Sequence, residues 1–105
     1  PHLYHRLTSL FDDFARAFTD ADLVILTDVY APAGRGPSAG ERTSEDLARA
    51  IGETRATYGG ALAAATEVLI DSCRPGDLVV IMGAGDVTDA GRIVLNRLAM
   101  RATKR

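Results

Sequence analysis

The 105-residue sequence has few of the features that mark secreted, membrane-bound or metal-binding proteins. It has one cysteine, Cys73, with no second thiol and no histidine cluster nearby, so we expect neither an intrachain disulfide nor a zinc site. Its longest apolar runs, LVIL and LVVIM, are about a quarter of the roughly 20 residues that a membrane helix needs, and no leader pattern precedes them. These shortages favour a cytoplasmic protein with no membrane partner.

The sequence also lacks an excess of charge of one sign. Its formal net charge is −2, and acidic and basic residues are interspersed, so we expect no broad positive surface that would attract nucleic acid. Hydrophobic residues make up 47% and charged residues 25% of the chain, a composition typical of globular proteins. The length suits one domain, residues 1–105.

Two common catalytic signatures are absent as well. No stretch has the pattern of Gly, four residues, Gly, Lys and Ser or Thr that cradles ATP phosphates, and no nucleophile triad is evident. We therefore assign no catalytic residue. The 105-residue chain alone is expected to have no enzymatic activity.

What the sequence does contain is an alternation of helical and strand patterns. Four segments have apolar residues at helical spacing, two short segments are apolar runs typical of strands buried on both faces, and RATYG is a third strand candidate. The predicted helices run from Leu7 to Phe18, from just after Thr43 to Ile51, from about Gly60 to Cys73, and from Asp89 to about Arg101. The predicted strands are Leu23–Val29, about Arg55–Tyr58, and Leu78–Met82, and a long loop covers residues 31–42.

Capping residues define two of the helix starts. Thr43 is the predicted N-cap of the second helix, with Asp46 three residues on in the capping-box position, and Thr88 is the predicted cap of the last helix. The residues predicted to face the core are Leu7, Leu10, Phe11, Phe14 and Phe18 in the first helix, Leu47, Ala48 and Ile51 in the second, and Ile93, Val94 and Leu98 in the last.

The order of the elements predicts an α/β fold. Helices that alternate with buried strands form a parallel sheet with right-handed crossovers, so we expect a three-layer, Rossmann-like sheet flanked by helices. Three strands are few for four helices, and the first helix has no strand before it. We therefore expect that one or more strands precede Pro1, that residues 1–105 are an N-terminally truncated domain, and that the exposed sheet edge provides a surface for self-association.

Two glycine-rich segments are candidates for ligand binding. The segment GRGPSAG has its third glycine one residue late for a dinucleotide fingerprint, and Pro37 removes a backbone donor, so a flexible loop is the favoured interpretation. The segment GAGD joins the third predicted strand to a helix, where Gly83 and Gly85 allow a ligand to approach the backbone. Asp86 favours an ammonium group over a phosphate there, while a tight turn with Asp86 complementing the helix dipole is the structural alternative.

The first residues of the chain, PHLYHR, hold both histidines, His2 and His5. At a natural terminus such residues are a solvated tail, whereas in a piece of a longer protein they are candidate ligands of a substrate. The sequence alone leaves both interpretations open.

Four segments share an order and a pattern with a known family: PHLYHR, LFDDFARAFTDADLVILTDVYAPAG, TSEDLARAI and RPGDLVVIMGAGDVT. On these segments the chain resembles the C-terminal domain of the Mur ligases, in particular the branch that joins L-alanine to UDP-N-acetylmuramate. In that family a strand ends in Phe-Gln-Pro-His, a variable residue, an aromatic residue, Ser or Thr, and Arg. This chain supplies Pro1, His2, Tyr4 and Arg6, and it departs from the pattern at His5.

The resemblance implies a C-terminal domain that binds the amino acid and closes over the active site of a cytoplasmic, ATP- and Mg²⁺-dependent ligase of peptidoglycan precursor synthesis. ATP and the UDP-sugar would be bound mainly by other domains. The alternative is a free-standing Rossmann-like module that binds a small anionic metabolite or a protein partner. The substrate-binding residues that the resemblance implies are His2, Tyr4, Arg6, Gly83, Gly85 and Asp86.

Overall fold

The computed structural model describes residues 4–29, 37, 40–52, 54–83 and 87–103. The predicted loop 31–42 lies largely outside these ranges, as do His2, Gly85 and Asp86. The helices of the described part are α1 (Tyr4–Ser9), α2 (Phe11–Arg16), α3 (Ser44–Ile51), α4 (Leu62–Ser72) and α5 (Val87–Thr103), and its strands are β1 (Val24–Thr27) and β2 (Ala56–Gly60).

Strands β1 and β2 form a parallel pair, which confirms the first two predicted strands and their direction. The register places Val24 opposite Ala56 and Leu26 opposite Tyr58, and then Thr27 opposite Gly60. Gly59 is therefore an extra residue in β2, a bulge that increases the local twist. Helix α3 connects the two strands, as a crossover between parallel neighbours requires.

The helices cover the two faces of this sheet, which confirms the predicted three-layer α/β fold. On one face, Leu7 of α1 and Leu47 of α3 are fully buried and pack with Leu26 of β1 in the main hydrophobic core. On the other face, α4 lies close to Gly59 and contacts both strands, and α5 packs on α4. Burial of such apolar surface is the main stabilising contribution in a domain of this size.

The predicted first helix, Leu7 to Phe18, is instead two short helices with a turn at Leu10. The hydroxyls of Thr8 and Ser9 donate hydrogen bonds to the carbonyl oxygens of Tyr4 and His5, both at 2.8 Å. Such bonds to the preceding turn compete with the helical backbone pattern and bend helices. The break leaves Leu10 exposed, and the three phenylalanines of α2 and its C-terminal turn are only partly buried against the core.

The predicted capping box of α3 is confirmed. The backbone N–H of Asp46 donates to Thr43 Oγ1 at 3.2 Å, and the backbone N–H of Thr43 donates to Asp46 Oδ2 at 3.0 Å. These two bonds satisfy donors that a helix N-terminus otherwise leaves unpaired. Leu47 and Ala48 are buried as predicted, and Ile51 packs at the margin of the core.

The third predicted strand, Leu78–Met82, is wrong for this chain, because the segment has no strand pairing in the described structure. Leu78, Val80 and Met82 are 89%, 68% and 75% exposed. The physical reason is that no strand of the described residues lies beside the segment, since a strand is stable only when its backbone groups are paired. Helices α3 and α4 lie on opposite faces of the sheet. If both crossovers are right-handed, the segment after α4 therefore lies on the side of β1 away from β2.

The last helix differs from its prediction at both the cap and the buried face. Helix α5 begins at Val87, so Thr88 lies in its first turn and is not the cap. Val94 is buried, but Ile93 is half exposed, because α4 is the one described helix or strand that α5 contacts and the neighbouring segment Leu78–Met82 is not part of a sheet. An ion pair between Arg97 and Glu67, with Nη1 and Oε1 2.8 Å apart, joins α5 to α4.

Candidate functional site

The candidate site lies where the two parallel strands end. In open α/β sheets ligands bind at the carboxyl ends of the strands, beside the first turns of the helices that follow. Here Asp28 follows β1, Tyr58 lies near the end of β2, and Glu45 lies in the first turn of α3. Tyr4, at the start of α1, lies near Tyr58. We call these four residues the carboxyl-edge cluster.

A hydrogen bond between side chains of neighbouring strands organises this cluster. The hydroxyl of Tyr58 donates to Oδ1 of Asp28. This bond to Asp28 is the main reason that the pKa of Tyr58 is raised to about 12, with burial and the charge of Asp28 next and smaller repulsive contributions from Glu45 and Tyr4. The Tyr58 phenol therefore stays protonated, and so remains a donor, throughout the physiological pH range.

The backbone at the ends of the strands positions these side chains. The N–H of Asp28 donates to the carbonyl oxygen of Gly60 at 2.8 Å, so the ladder continues one residue beyond β1. The bulge at Gly59 lies between Gly60 and Tyr58, and bulges beside binding sites commonly change the direction in which a side chain points. Tyr58 lies opposite Leu26 and bonds to a residue two positions further along the neighbouring strand.

The carboxyl-edge cluster itself is acidic. Asp28 and Glu45 contribute carboxylates, and the start of α3 already holds the Asp46 side chain on its backbone donors. In the described part of the chain, Arg49 is the basic residue that pairs with this end of α3, at 3.6 Å from Glu45 and 3.0 Å from Asp46. This balance favours an ammonium group over a phosphate as a ligand, because unlike charges attract.

The structure describes three of the six residues predicted to bind substrate. Tyr4 is half-buried at the start of α1 and belongs to the carboxyl-edge cluster, whereas Arg6 is exposed in the same helix. Gly83 has φ 147°, and a Cβ there would lie 2.8 Å from Val87 Cγ1, so the turn into α5 requires glycine for structural reasons. His2, Gly85 and Asp86 lie outside the described residues. The role of all six in binding stays a prediction.

Sequence reasoning missed three residues of the cluster, namely Asp28, Glu45 and Tyr58. A signal was present for Asp28, because it directly follows a buried strand, where binding residues are often found. Tyr58 could not be selected from the sequence, since the bond to Asp28 joins residues 30 positions apart and depends on the register and the bulge.

Two open clefts lie elsewhere on the described surface. One of about 370 Å³ is mostly apolar and lies between the first turns of α4 and α5, lined by Leu62, Ala63, Thr66, Glu67, Asp89, Ala90 and Ile93. The other, of about 400 Å³, is polar and lies along α1 and α2 beside Arg42. The Arg42 guanidinium stacks 4.6 Å from the centre of the Phe11 ring, and the Arg42 backbone N–H donates to Thr8 Oγ1. Arg42 therefore connects the chain before α3 to α1 and α2.

The parallel strands β1 and β2, with helices on both faces, place this chain in the α/β class. The chain belongs to the Mur ligase family, since residues 3–85 match the family described as "Mur ligase, glutamate ligase domain".

Curated relatives extend this match over most of the chain. The UDP-N-acetylmuramate--L-alanine ligase of Geotalea uraniireducens is 41% identical over 101 residues, which are 93% of this chain and 22% of that protein. The proteins of the same name from Rickettsia felis and Desulforamulus reducens are 39% and 44% identical, over 96% and 93% of this chain. The chain spans about a fifth of the length of these relatives, at 22%, 22% and 21%.

Across the described ranges, no three His, Cys, Asp or Glu side chains are grouped so that they could hold a metal ion. None of the helices in the same ranges has both the length and the apolar character needed to cross a lipid bilayer.

Proposed function

We propose that this chain is the C-terminal, amino-acid-binding domain of an ATP-dependent ligase that joins L-alanine to UDP-N-acetylmuramate in the cytoplasm, a step of peptidoglycan precursor synthesis. The observation that carries the proposal is the similarity to the relatives of that name, at 41% and 39% identity over 93% and 96% of the chain. The carboxyl-edge cluster supports it, because a negative edge suits the ammonium group of an amino acid.

The residues of this chain do not fit a binding site for ATP and Mg²⁺. The sequence has no P-loop pattern, and the described residues form no metal-binding group of three acidic, His or Cys side chains. We assign ATP and Mg²⁺ to parts of the ligase beyond residues 1–105, where ATP would supply the phosphoryl group that activates the carboxylate of the sugar. The contribution of this chain is to bind and orient the amine.

The need to orient the amine explains why a separate domain that closes over the active site is useful. Holding two reactants in a productive geometry lowers the barrier because translational and rotational freedom is lost before the reaction, and a closed domain also excludes water that would consume an activated carboxylate. In this proposal the carboxyl edge faces the cleft between domains, with Tyr4 and Arg6 of α1 on the side of the substrates. Arg6 is exposed, as a residue that meets a ligand from another domain must be.

A turnover measurement tests this function. The full-length protein that carries this chain, supplied with UDP-N-acetylmuramate, L-alanine, ATP and Mg²⁺, should form UDP-N-acetylmuramoyl-L-alanine and ADP in equal amounts. The 105-residue chain under the same conditions should form neither. If the full-length protein makes no product although it is folded and binds ATP, the proposed ligase function is wrong, and a binding module of another kind becomes the better interpretation.

A further inference from the structure

The pairing of Tyr58 with Asp28 goes beyond what a ligase domain needs for folding alone. Both side chains are exposed, with Tyr58 39% exposed, so the bond does not rescue a buried polar group. It joins two strands at the edge of the sheet where ligands bind, and it reaches across a bulge that displaces the end of β2. Because the Tyr58 hydroxyl bonds to it, the exposed Asp28 carboxylate is held in a defined position.

We propose that Asp28 receives the ammonium group of the amino-acid substrate and that Tyr58 is a positioning residue that holds the Asp28 carboxylate for it. The proposal rests on the proposed function. Tyr58 bonds to Oδ1, so Oδ2 remains available as an acceptor. Among the described residues no lysine or arginine pairs with Asp28, so its charge is not already matched there.

The surroundings of Asp28 fit an amino acid in particular. Glu45, which is paired with Arg49 at 3.6 Å, places a second carboxylate near Tyr58, and this carboxylate favours an ammonium group over a phosphate. Tyr4, at the start of α1, is near enough to Tyr58 to contribute to its raised pKa, and Arg6 follows two residues later in the same helix. A zwitterion requires one acceptor for its ammonium and one cation for its carboxylate; Asp28 supplies the acceptor, and Arg6, exposed in α1, is the candidate cation.

The hydroxyl of Tyr58 has a role that a phenylalanine could not perform. A donor on Oδ1 restricts rotation of the Asp28 side chain, and a charge-assisted bond is about twice as strong as a neutral one. Its loss should therefore weaken binding of the ammonium group while the ring and its packing are kept. Because the phenol donates and stays neutral, it does not cancel the negative charge that the ammonium group requires.

The test uses the full-length protein with single substitutions at three positions of the two strands. Tyr58→Phe should raise KM for L-alanine on the order of 10-fold, and Asp28→Asn should raise it by roughly 10- to 100-fold, while kcat and the KM values for ATP and UDP-N-acetylmuramate stay within about twofold. Thr57→Val is the matched control, because Thr57 precedes Tyr58 in β2 and is exposed on the opposite side of the strand, where its hydroxyl can be removed without touching Asp28.

A second measurement separates positioning from a structural effect. L-lactate has the methyl and carboxylate groups of L-alanine with a hydroxyl in place of the ammonium group, so its inhibition constant against L-alanine should be the same in wild type, Tyr58→Phe and Asp28→Asn. If KM for L-alanine is unchanged in both variants, the inference is overturned. If the KM values for all substrates and the inhibition constant for L-lactate rise together, Asp28 and Tyr58 have only a structural role and the inference is again overturned.

These outcomes are distinct from a failure of the proposed function. If the wild-type full-length protein does not form the L-alanine product at all, the function is wrong. If the wild-type protein forms it and Tyr58→Phe behaves like Thr57→Val, the function stands and only the inference about Asp28 and Tyr58 is lost. Melting temperatures of the three variants, measured beside the kinetics, identify any substitution that unfolds the domain. If Asp28→Asn unfolds it, the inference is tested by Tyr58→Phe, which keeps the aromatic ring.

Discussion

Gly59 of β2 lies so close to Ala65 of α4 that a Cβ on Gly59 would be 2.7 Å from the Cβ and 2.9 Å from the Cα of Ala65. The same Cβ would be 3.2 Å from Ile25 Cγ2 of β1. The close approach of α4 to the sheet therefore depends on a glycine at the bulge, and it also explains why the α4 residue at the contact is the small Ala65.

Gly59→Ala should destabilise the chain. The added methyl group would meet backbone as well as side-chain atoms, so α4 must move, and overpacking of this kind costs about 1 to 3 kcal/mol of unfolding free energy. Urea denaturation should show a lower midpoint. Gly91→Ala is the contrasting substitution, because its Cβ would lie 3.5 Å from Ile81 Cδ1 and α5 would gain a better helix former, worth about 0.5 to 1 kcal/mol. Equal midpoints for the two variants would contradict this account of the bulge.

The sequence predicted the elements whose signals are local. The apolar, β-branched run of β1 and the Thr43 and Asp46 pair that caps α3 both specify structure within a few residues, and both are confirmed. The third strand failed because a strand depends on its neighbour, and the pattern of Leu78–Met82 does not reveal whether that neighbour is present. The break at Leu10 was also missed, because helical spacing says nothing about the hydroxyls of Thr8 and Ser9 that bond to the preceding turn.

The candidate site was predicted less completely than the fold. Tyr4 and Arg6 were selected only through the family resemblance, and their role in binding stays a prediction. Asp28 and Tyr58 come together through the register of β1 and β2 and the bulge at Gly59, which no local pattern encodes. Long-range pairing of this kind becomes visible only in three dimensions.

The capping box of α3 should make stability depend on pH. The pKa of the Asp46 carboxyl lies below its ordinary value of 3.8, mainly because the Thr43 backbone N–H donates to it and next because Arg49 does. A carboxyl whose pKa is lowered by folding stabilises the native state above 3.8, and this contribution is lost as the pH falls below that value toward the native pKa.

Asp46→Asn should therefore lower the unfolding free energy at neutral pH by about 0.5 to 1 kcal/mol, and the difference from wild type should shrink at acidic pH. Urea denaturation at pH 7 and at a series of values down to about 3 measures it. A difference that stays constant over this range would show that the charge of Asp46 does not stabilise α3. Thr43→Ala, which removes the other half of the capping box, should cost about 1 kcal/mol at pH 7.

The segment Leu78–Met82 should become protected in a longer protein. In the 105-residue chain its backbone N–H groups have no strand partner in the described structure, so they should exchange with deuterium rapidly. If a strand precedes α1 and lies between β1 and this segment, exchange should slow by on the order of 100-fold or more in the full-length protein. The amide of Val24, which donates to Arg55 O at 2.7 Å, should be protected in both proteins and is the internal control. Rapid exchange of residues 79–82 in both proteins would contradict the expected third strand.

Arg6 should matter for catalysis and not for folding. It is exposed in α1, and a guanidinium that contacts a substrate oxyanion through charge-assisted bonds contributes roughly 1.5 to 3 kcal/mol. Arg6→Ala in the full-length protein should then lower kcat/KM on the order of 10- to 100-fold with little change in Tm, and Arg6→Lys should restore only part, because an ammonium group lacks the planar fork.

Arg49→Ala is the control for Arg6, because Arg49 is also an exposed helical arginine and its ion pairs among the described residues are with Glu45 and Asp46 of its own helix. Exposed pairs of this kind contribute about 0 to 1 kcal/mol, so kcat/KM should be unchanged and Tm nearly so. Wild-type kinetics in Arg6→Ala, or a large loss of Tm in that variant, would place Arg6 in a structural role.

The most direct test of the central claim is whether these 105 residues can perform the role of the corresponding domain in a relative. In the Geotalea uraniireducens ligase, the matching segment is 22% of the protein and 41% identical to this chain, so it can be replaced by residues 1–105. The measurement is the rate of ADP release that depends on L-alanine, with UDP-N-acetylmuramate and ATP saturating. The account predicts that the exchanged protein retains L-alanine-dependent turnover and that deletion of the segment abolishes it. A folded exchanged protein that binds ATP but shows no L-alanine-dependent turnover would contradict the account.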